Sequence, residues 1–219
     1  MKVILFASQK GGSSKTTLCR CLAVAADQAG VGAVGMIDTD PQGTLTKWWK
    51  RRAAQTPNLL RLRSIRDDLA STLEAAREGG LAYVFMDTQG AITESLAAVI
   101  PYADTVIIPV RASPDDLEAV PETLRIIEPA AKPFAFVLTQ IKPNAGINSQ
   151  ARLALFNYGV VAAPTMGDRI DFASSAIDGR AVQELDPNGR SAGEIMEIWD
   201  FVKERADNSK AATKKEKVA

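Results

Sequence analysis

Two lysines set around a glycine pair, followed by adjacent hydroxyls, make up the run Lys10-Gly11-Gly12-Ser13-Ser14-Lys15-Thr16-Thr17. Placed where a strand gives way to a helix, such a turn aims backbone N–H groups and the positive helix end at one point, where a polyphosphate can sit. Gly11 and Gly12 let the backbone approach an anion without a Cβ in the way. Lys15 can set an ammonium on the outer phosphates, and the Thr16 hydroxyl can hold Mg²⁺. The strict G-x-x-x-x-G-K-[ST] pattern is not met, because Gln9 and Ser14 stand at its glycine positions. An ordinary glycine-rich turn before a helix is therefore the competing reading.

Two further motifs narrow the choice. Met36-Ile37-Asp38-Thr39-Asp40-Pro41-Gln42 puts two carboxylates at the end of an apolar run. Residues two apart on an extended segment share a face, so Asp38 and Asp40 are both expected to look toward the phosphate loop, one orienting a water and one near a metal. Asp-x-Asp-Pro is also good turn chemistry. Tyr83-Val84-Phe85-Met86-Asp87 is a second apolar run closing on an acid, a Walker B arrangement with Asp87 available to Mg²⁺. Each acid alone says little; all of them at strand ends, in this order, says more, because parallel sheets gather ligands at the carboxyl ends of their strands.

The elements that must position these groups are legible as an alternation. Apolar runs at Val3–Ala7, Ala33–Ile37, Ala82–Met86, Thr105–Val110 and Phe134–Leu138, with Val160–Ala163 as a further candidate, read as buried strands. Helical spacing predicts Thr16–Ala29, Thr44–Ala54, Arg66–Arg77, Ile92–Ile100, Pro114–Glu128, Ser149–Tyr158, Ile170–Ile177 and Ala192–Arg205. The rhythm implies a single α/β domain over residues 1–207, a mainly parallel twisted sheet with helices on both faces; with the phosphate loop set after its first strand, it resembles the P-loop NTPase type. Residues 208–219, rich in lysine and alanine, are expected to form a disordered tail.

Composition excludes other chemistries. The 219 residues include no histidine, which removes the usual general base, the Ser/His and Cys/His nucleophile pairs and every His-containing metal site. Cys19 and Cys21 are too few for a zinc or iron–sulfur cage within one chain and read as reduced thiols. No stretch approaches the roughly 18 apolar residues of a membrane span, and the start does not read as a signal peptide, so a cytoplasmic location is expected. Lys+Arg and Asp+Glu balance at 26 each, yet unevenly. Lys47–Arg66 carries seven basic residues and no acid, Asp67–Glu128 twelve acids against three arginines, and Lys203–Lys217 six basic residues against three acids.

With these motifs in place, the chain resembles the ParA/MinD family of deviant Walker A ATPases, and within it the small ParA-type partition proteins. The family loop K-G-G-x-G-K-[ST]-T is matched by Lys10, Gly11, Gly12, Lys15, Thr16 and Thr17, and its D-x-D-P-Q motif in full at Asp38–Gln42. Val106–Val110 with Asp116-Leu117 resembles the next strand and helix. Asp168-Arg169 through Gly179, Val182, Glu184–Pro187 and Glu194 resembles the C-terminal segment, so the likeness is nearly chain-long.

The resemblance implies an ATP- and Mg²⁺-dependent homodimer. Lys10 would reach across to the partner's phosphates, Asp40 would position the attacking water, Asp38 would accompany it near the metal, and Asp87 would be the Walker B acid. It also implies non-specific DNA binding when ATP is bound, hence nucleoid association, and a ParB/ParG-like partner that stimulates hydrolysis to drive plasmid or chromosome partition. The tail lacks the bulky apolar face of membrane-binding members, the cysteines do not suit the iron–sulfur carriers, and Lys10 with the D-x-D-P-Q motif argues against a dethiobiotin-synthetase-like ligase. A related ATPase that positions a protein assembly, or docks a protein without touching DNA, is the alternative. Candidate DNA contacts are Lys50, Arg51, Arg52, Arg169, Arg180 and Lys203, and candidate adenine contacts are Thr139 and Gln140. Two positions depart from the family: Ser14 where it has glycine, and Gln89 where it usually has proline.

Overall fold

A computed structural model describes residues 1–90 and 93–215. Six parallel strands form the sheet: β1 (Lys2–Phe6), β2 (Ala33–Asp38), β3 (Asn58–Leu60), β4 (Leu81–Asp87), β5 (Thr105–Arg111) and β6 (Phe134–Thr139). Their order across the sheet is β3-β2-β4-β1-β5-β6. Asp38 pairs with Asp87 in the β2–β4 register, and Phe6 with Asp87 between β1 and β4. The carboxylates and the start of the phosphate loop thus share one edge of the sheet. The expected strands are present within a residue or so at each end. Val160–Ala163 makes only an isolated bridge, Phe136 with Val161, and β3 is too short to announce itself in the sequence.

The helices are α1 (Lys15–Gln28), α2 (Thr44–Lys50), α3 (Ile65–Glu78), α4 (Thr93–Val99), α5 (Pro114–Glu118), α6 (Val120–Ile127), α7 (Ile147–Phe156), α8 (Asp171–Ser174), α9 (Val182–Leu185) and α10 (Arg190–Lys215). One core lies between the sheet and α1, α2, α9 and α10; the other lies between the opposite face and α3, α4, α6 and α7. The acidic stretch Asp67–Glu128 therefore supplies helices to one face and the basic α2 packs on the other. Pro114–Glu128, expected as one helix, breaks at Ala119 because Pro121 lacks an N–H and its ring crowds the carbonyl four residues back. The last helix, expected to end at Arg205, runs on to Lys215, past the expected boundary at residue 207. Residues 216–219 and Ile92, the expected start of α4, lie outside the described residues.

Helix α1 shows how the site is anchored. Every residue from Leu18 to Ala26 is buried, where helical spacing alone asks only that one face be. Small side chains at Cys19, Cys21, Ala23, Ala25 and Ala26 let the sheet and α10 both close on it. Opposite, Trp199 of α10 meets Tyr83 edge-on with ring centroids 5.3 Å apart, a geometry favoured by the ring quadrupoles.

Candidate functional site

The phosphate loop leaves β1 and turns into α1 around a cleft of about 340 Å³ lined by Gly11 through Thr17, Asp40, Thr88, Gly90 and Gln140. Gly12 and Ser14 both take left-handed backbone, at φ +76° and +73°. Glycine enters that region freely, whereas a side chain there costs on the order of 1–2 kcal/mol. The family's glycine at position 14 thus has a physical reason, and Ser14 carries the strain. We expect Ser14→Gly to retain or tighten nucleotide binding and to raise stability by about 1 kcal/mol; loss of binding in a titration with ATP would contradict this.

Lys15 is buried, and its ammonium donates to the Lys10 carbonyl at 3.3 Å. Burial lowers its pKa, against the pull of Asp87 and Asp40. Gly90 sits directly over it, since an added Cβ would lie 3.1 Å from Nζ. Thr16 Oγ1 donates to Asp87 Oδ2 at 2.6 Å. Asp87 is fully buried, its Oδ1 has no partner, and desolvation pushes its pKa up to about 7, with Thr16 opposing and Asp38 adding repulsion. An orphaned carboxylate oxygen beside a threonine hydroxyl is a fitting place for Mg²⁺. Among the described residues no group of three acidic or thiol ligands could cage a metal unaided.

The structure separates the two acids expected to act together. Asp40 lines the cleft, with Oδ1 accepting from Gln42 N at 2.8 Å. Asp38 instead turns to the backbone: Oδ1 accepts from Asp40 N at 3.1 Å and Oδ2 from Thr46 N at 2.8 Å. The shared-face argument failed because β2 ends at Asp38, so the alternation does not reach Asp40. Asp38 thereby satisfies an otherwise unpaired N–H at the start of α2.

One expected adenine contact needs correction. Thr139 is fully buried and donates through Oγ1 to the Ser13 carbonyl at 3.1 Å, so it supports the loop and is shielded from any base. Gln140 is reachable and lines both the phosphate cleft and a neighbouring cleft of about 450 Å³ that Ser14, Thr17, Arg20, Asp168, Arg169 and Phe172 help to form. Lys10 lies within 4.0 Å of Asp115 on α5, its ammonium outside the cleft.

Of the basic candidates, Arg52 is almost wholly enclosed: its guanidinium pairs with both Glu184 oxygens at 2.8 Å, donates to the Gly179 and Thr56 carbonyls and stacks over Trp48. Arg169 is bound to Glu194, Arg180 to Asp178 and Lys203 to Asp207. Arg51 is exposed and donates to the Ala176 carbonyl, while Lys50 is exposed with no partner among the described residues. Of these candidates only Lys50 is without a partner among the described residues; with Lys47 and Arg51 it lies at the exposed end of α2, which abuts Gly179 and so brings the ion-paired but half-exposed Arg180 near. The sequence reading missed Thr88 and Gly90, whose only signal was their place directly after Asp87. It also missed Arg111 on β5, which pairs with the buried Asp116 at 2.9 Å. Although burial works against it, that hydrogen bonding holds the Asp116 carboxyl below its ordinary range.

Comparison with known proteins agrees with this geometry. A family profile described as VirC1 protein matches residues 1–180. The "Maintenance of carboxysome distribution protein A" of Halothiobacillus neapolitanus is 31% identical over 208 residues, 90% of this chain and 94% of that protein. "Protein ParA" of Rhizobium radiobacter is 31% identical over 129 residues, 58% of this chain and 56% of that protein. Among solved structures, the septum site-determining protein MinD of Pyrococcus horikoshii, complexed with Mg-ADP, superposes with a TM-score of 0.74 at 13% identity, covering 92% of this chain and 95% of that one. The fold, the loop and the matched sequences lead to one assignment: the chain belongs to the VirC1/ParA-like family of MinD/ParA-type P-loop ATPases, the deviant Walker A type.

Proposed function

We propose that this chain is a Mg²⁺-dependent ATPase that pairs with a second copy when ATP is bound, and that one domain across residues 1–207 carries the whole cycle. The placement of Lys15, Thr16 and Asp40 on one cleft, with Asp87 bonded directly behind Thr16, carries this reading. Loop N–H groups and Lys15 would bind the triphosphate, Thr16 and Asp87 would hold Mg²⁺, and Asp40, its second oxygen unengaged, would orient the attacking water. The cation, when bound, supplies charge neutralisation at the outer phosphates. The Mg-ADP complex of the related MinD fold supports the same cofactor here.

Lys10 fits a role across a dimer. It is half-exposed, its one ionic neighbour among the described residues is 4.0 Å away, and a solvated contact of that kind holds a lysine only weakly. We expect Lys10→Ala to bind ATP within about threefold of wild type yet to stay monomeric by light scattering with ATP and Mg²⁺. An ATP-dependent dimer of this variant would count against the role.

For cargo, we favour partition through non-specific DNA, with the surface of Lys47, Lys50, Arg51 and Arg180 as the contact, stimulation by a ParB/ParG-like protein, and nucleoid association in the ATP state. No helix among the described residues is long and apolar enough to cross a membrane. A duplex gel shift with ATP, ADP and no nucleotide tests it: retardation with ATP alone is expected, and equal retardation in all lanes would end the switch model. A second reading, positioning of a protein assembly, draws on the carboxysome-distribution relative that matches over nearly its whole length. Retention of ATP-dependent dimers without any DNA retardation would favour it.

A further inference from the structure

We propose that Gln140 is a positioning residue that holds the phosphate loop in its anion-receiving shape, acting on the phosphates through the loop and not on the base. The proposal rests on the nucleotide reading above and adds to it how the cleft stays formed.

Three left-handed residues meet at this point: Gly12, Ser14 and Gln140, at φ +76°, +73° and +52°. The Gln140 amide nitrogen donates to the Gly12 carbonyl at 2.9 Å and to Ser14 Oγ at 2.9 Å. The preceding residue, Thr139, donates to the Ser13 carbonyl between them. Two successive residues at the end of β6 therefore grip three successive residues of the loop. A loop that turns its N–H groups inward to an anion must turn its carbonyls outward. Donors placed on those carbonyls favour that orientation and oppose a carbonyl flipping toward the phosphates. Ser14 gains from the same contact, because its hydroxyl meets a partner only while its backbone keeps the left-handed turn. The amide N–H groups are thus committed to the loop, so their removal acts on the loop whether or not the amide oxygen meets a base.

The test compares tripolyphosphate, which has no base, with ATP, both titrated with Mg²⁺ into the purified chain. Gln140→Met keeps the length of the side chain and removes its N–H groups. We expect it to weaken both ligands by about tenfold, with the ligand-free thermal midpoint shifted by no more than about 2 °C. In a Ser14→Gly background, where one of the two anchors is gone and the strain is relieved, the same change should cost only about threefold. Weakened ATP binding with unchanged tripolyphosphate binding would make Gln140 a base contact and overturn the proposal, as would no effect on either ligand. A wild-type chain that binds neither ligand removes the nucleotide reading, and this proposal with it.

Discussion

Asp87→Asn is expected to stabilise the ligand-free protein at pH 8 and, on the proposal that Asp87 helps hold Mg²⁺, to lower ATP hydrolysis at least about a hundredfold. Asp87 is buried without exposure and one oxygen is unpaired. Its folded-state pKa of about 7 against an ordinary 3.8 means that the folded chain holds this proton more tightly than the unfolded chain. The associated stability is full below about pH 4 and is lost as pH rises toward 7; at about 1.4 kcal/mol per pKa unit it amounts to a few kcal/mol. Asparagine removes the charge but brings an amide N–H into a site with no acceptor, which returns about 1–3 kcal/mol. The net gain at pH 8 is therefore about 1–2 kcal/mol, and at pH 5, where Asp87 is already neutral, it should vanish or change sign. Urea denaturation of both proteins at the two pH values checks this. A variant no more stable at pH 8 than at pH 5, relative to wild type, would show that the carboxylate is compensated in the native protein.

Gly179→Ala should be among the most damaging single changes outside the cleft. Gly179 has φ +81°, and an added Cβ would fall within 2.6 Å of the Arg51 carbonyl carbon and closer still to the Arg52 nitrogen. Backbone on both sides leaves nothing flexible to give. The segment must separate from α2, and with it go the Arg51 bond to the Ala176 carbonyl, the Arg52–Glu184 pair and the Trp48 indole bond to the Arg180 carbonyl at 3.0 Å. The forced clash and the hydrogen bonds to charged groups lost with it, each about 1.5–3 kcal/mol, set the scale. We expect a loss of at least about 3 kcal/mol and a thermal midpoint about 10 °C lower, with tryptophan emission shifted to the red as Trp48 is exposed. An unchanged midpoint and emission would mean that α2 and this segment can part freely.

The central strands were legible because each is an apolar run buried on both faces, and the loop because its residue types are few and ordered. What escaped was set by contacts between distant segments. Nothing near Arg52 announces Glu184, so a residue read as a surface cation proves to be a core strut beneath Trp48. Thr139, at the right strand end for a base contact, is turned inward by the Ser13 carbonyl, which lies 126 positions away in the chain. Asp38 and Asp40 were separated by the exact point at which β2 stops, a boundary that sequence patterns mark only to within a few residues. The Pro121 break was the exception: its cause is local and was available in the sequence.

The encasement of α1 divides the molecule into parts that can move and a part that cannot. A helix buried from Leu18 to Ala26 on every side has no low-energy route to solvent, so its amide protons should exchange only when the whole chain unfolds. The cradle for the phosphates is fixed to that helix. Whatever a bound nucleotide displaces must then lie in the segments that approach the cradle from other strands, after Asp38, Asp87 and Thr139, and fast amide exchange that slows on ligand binding should be confined to them.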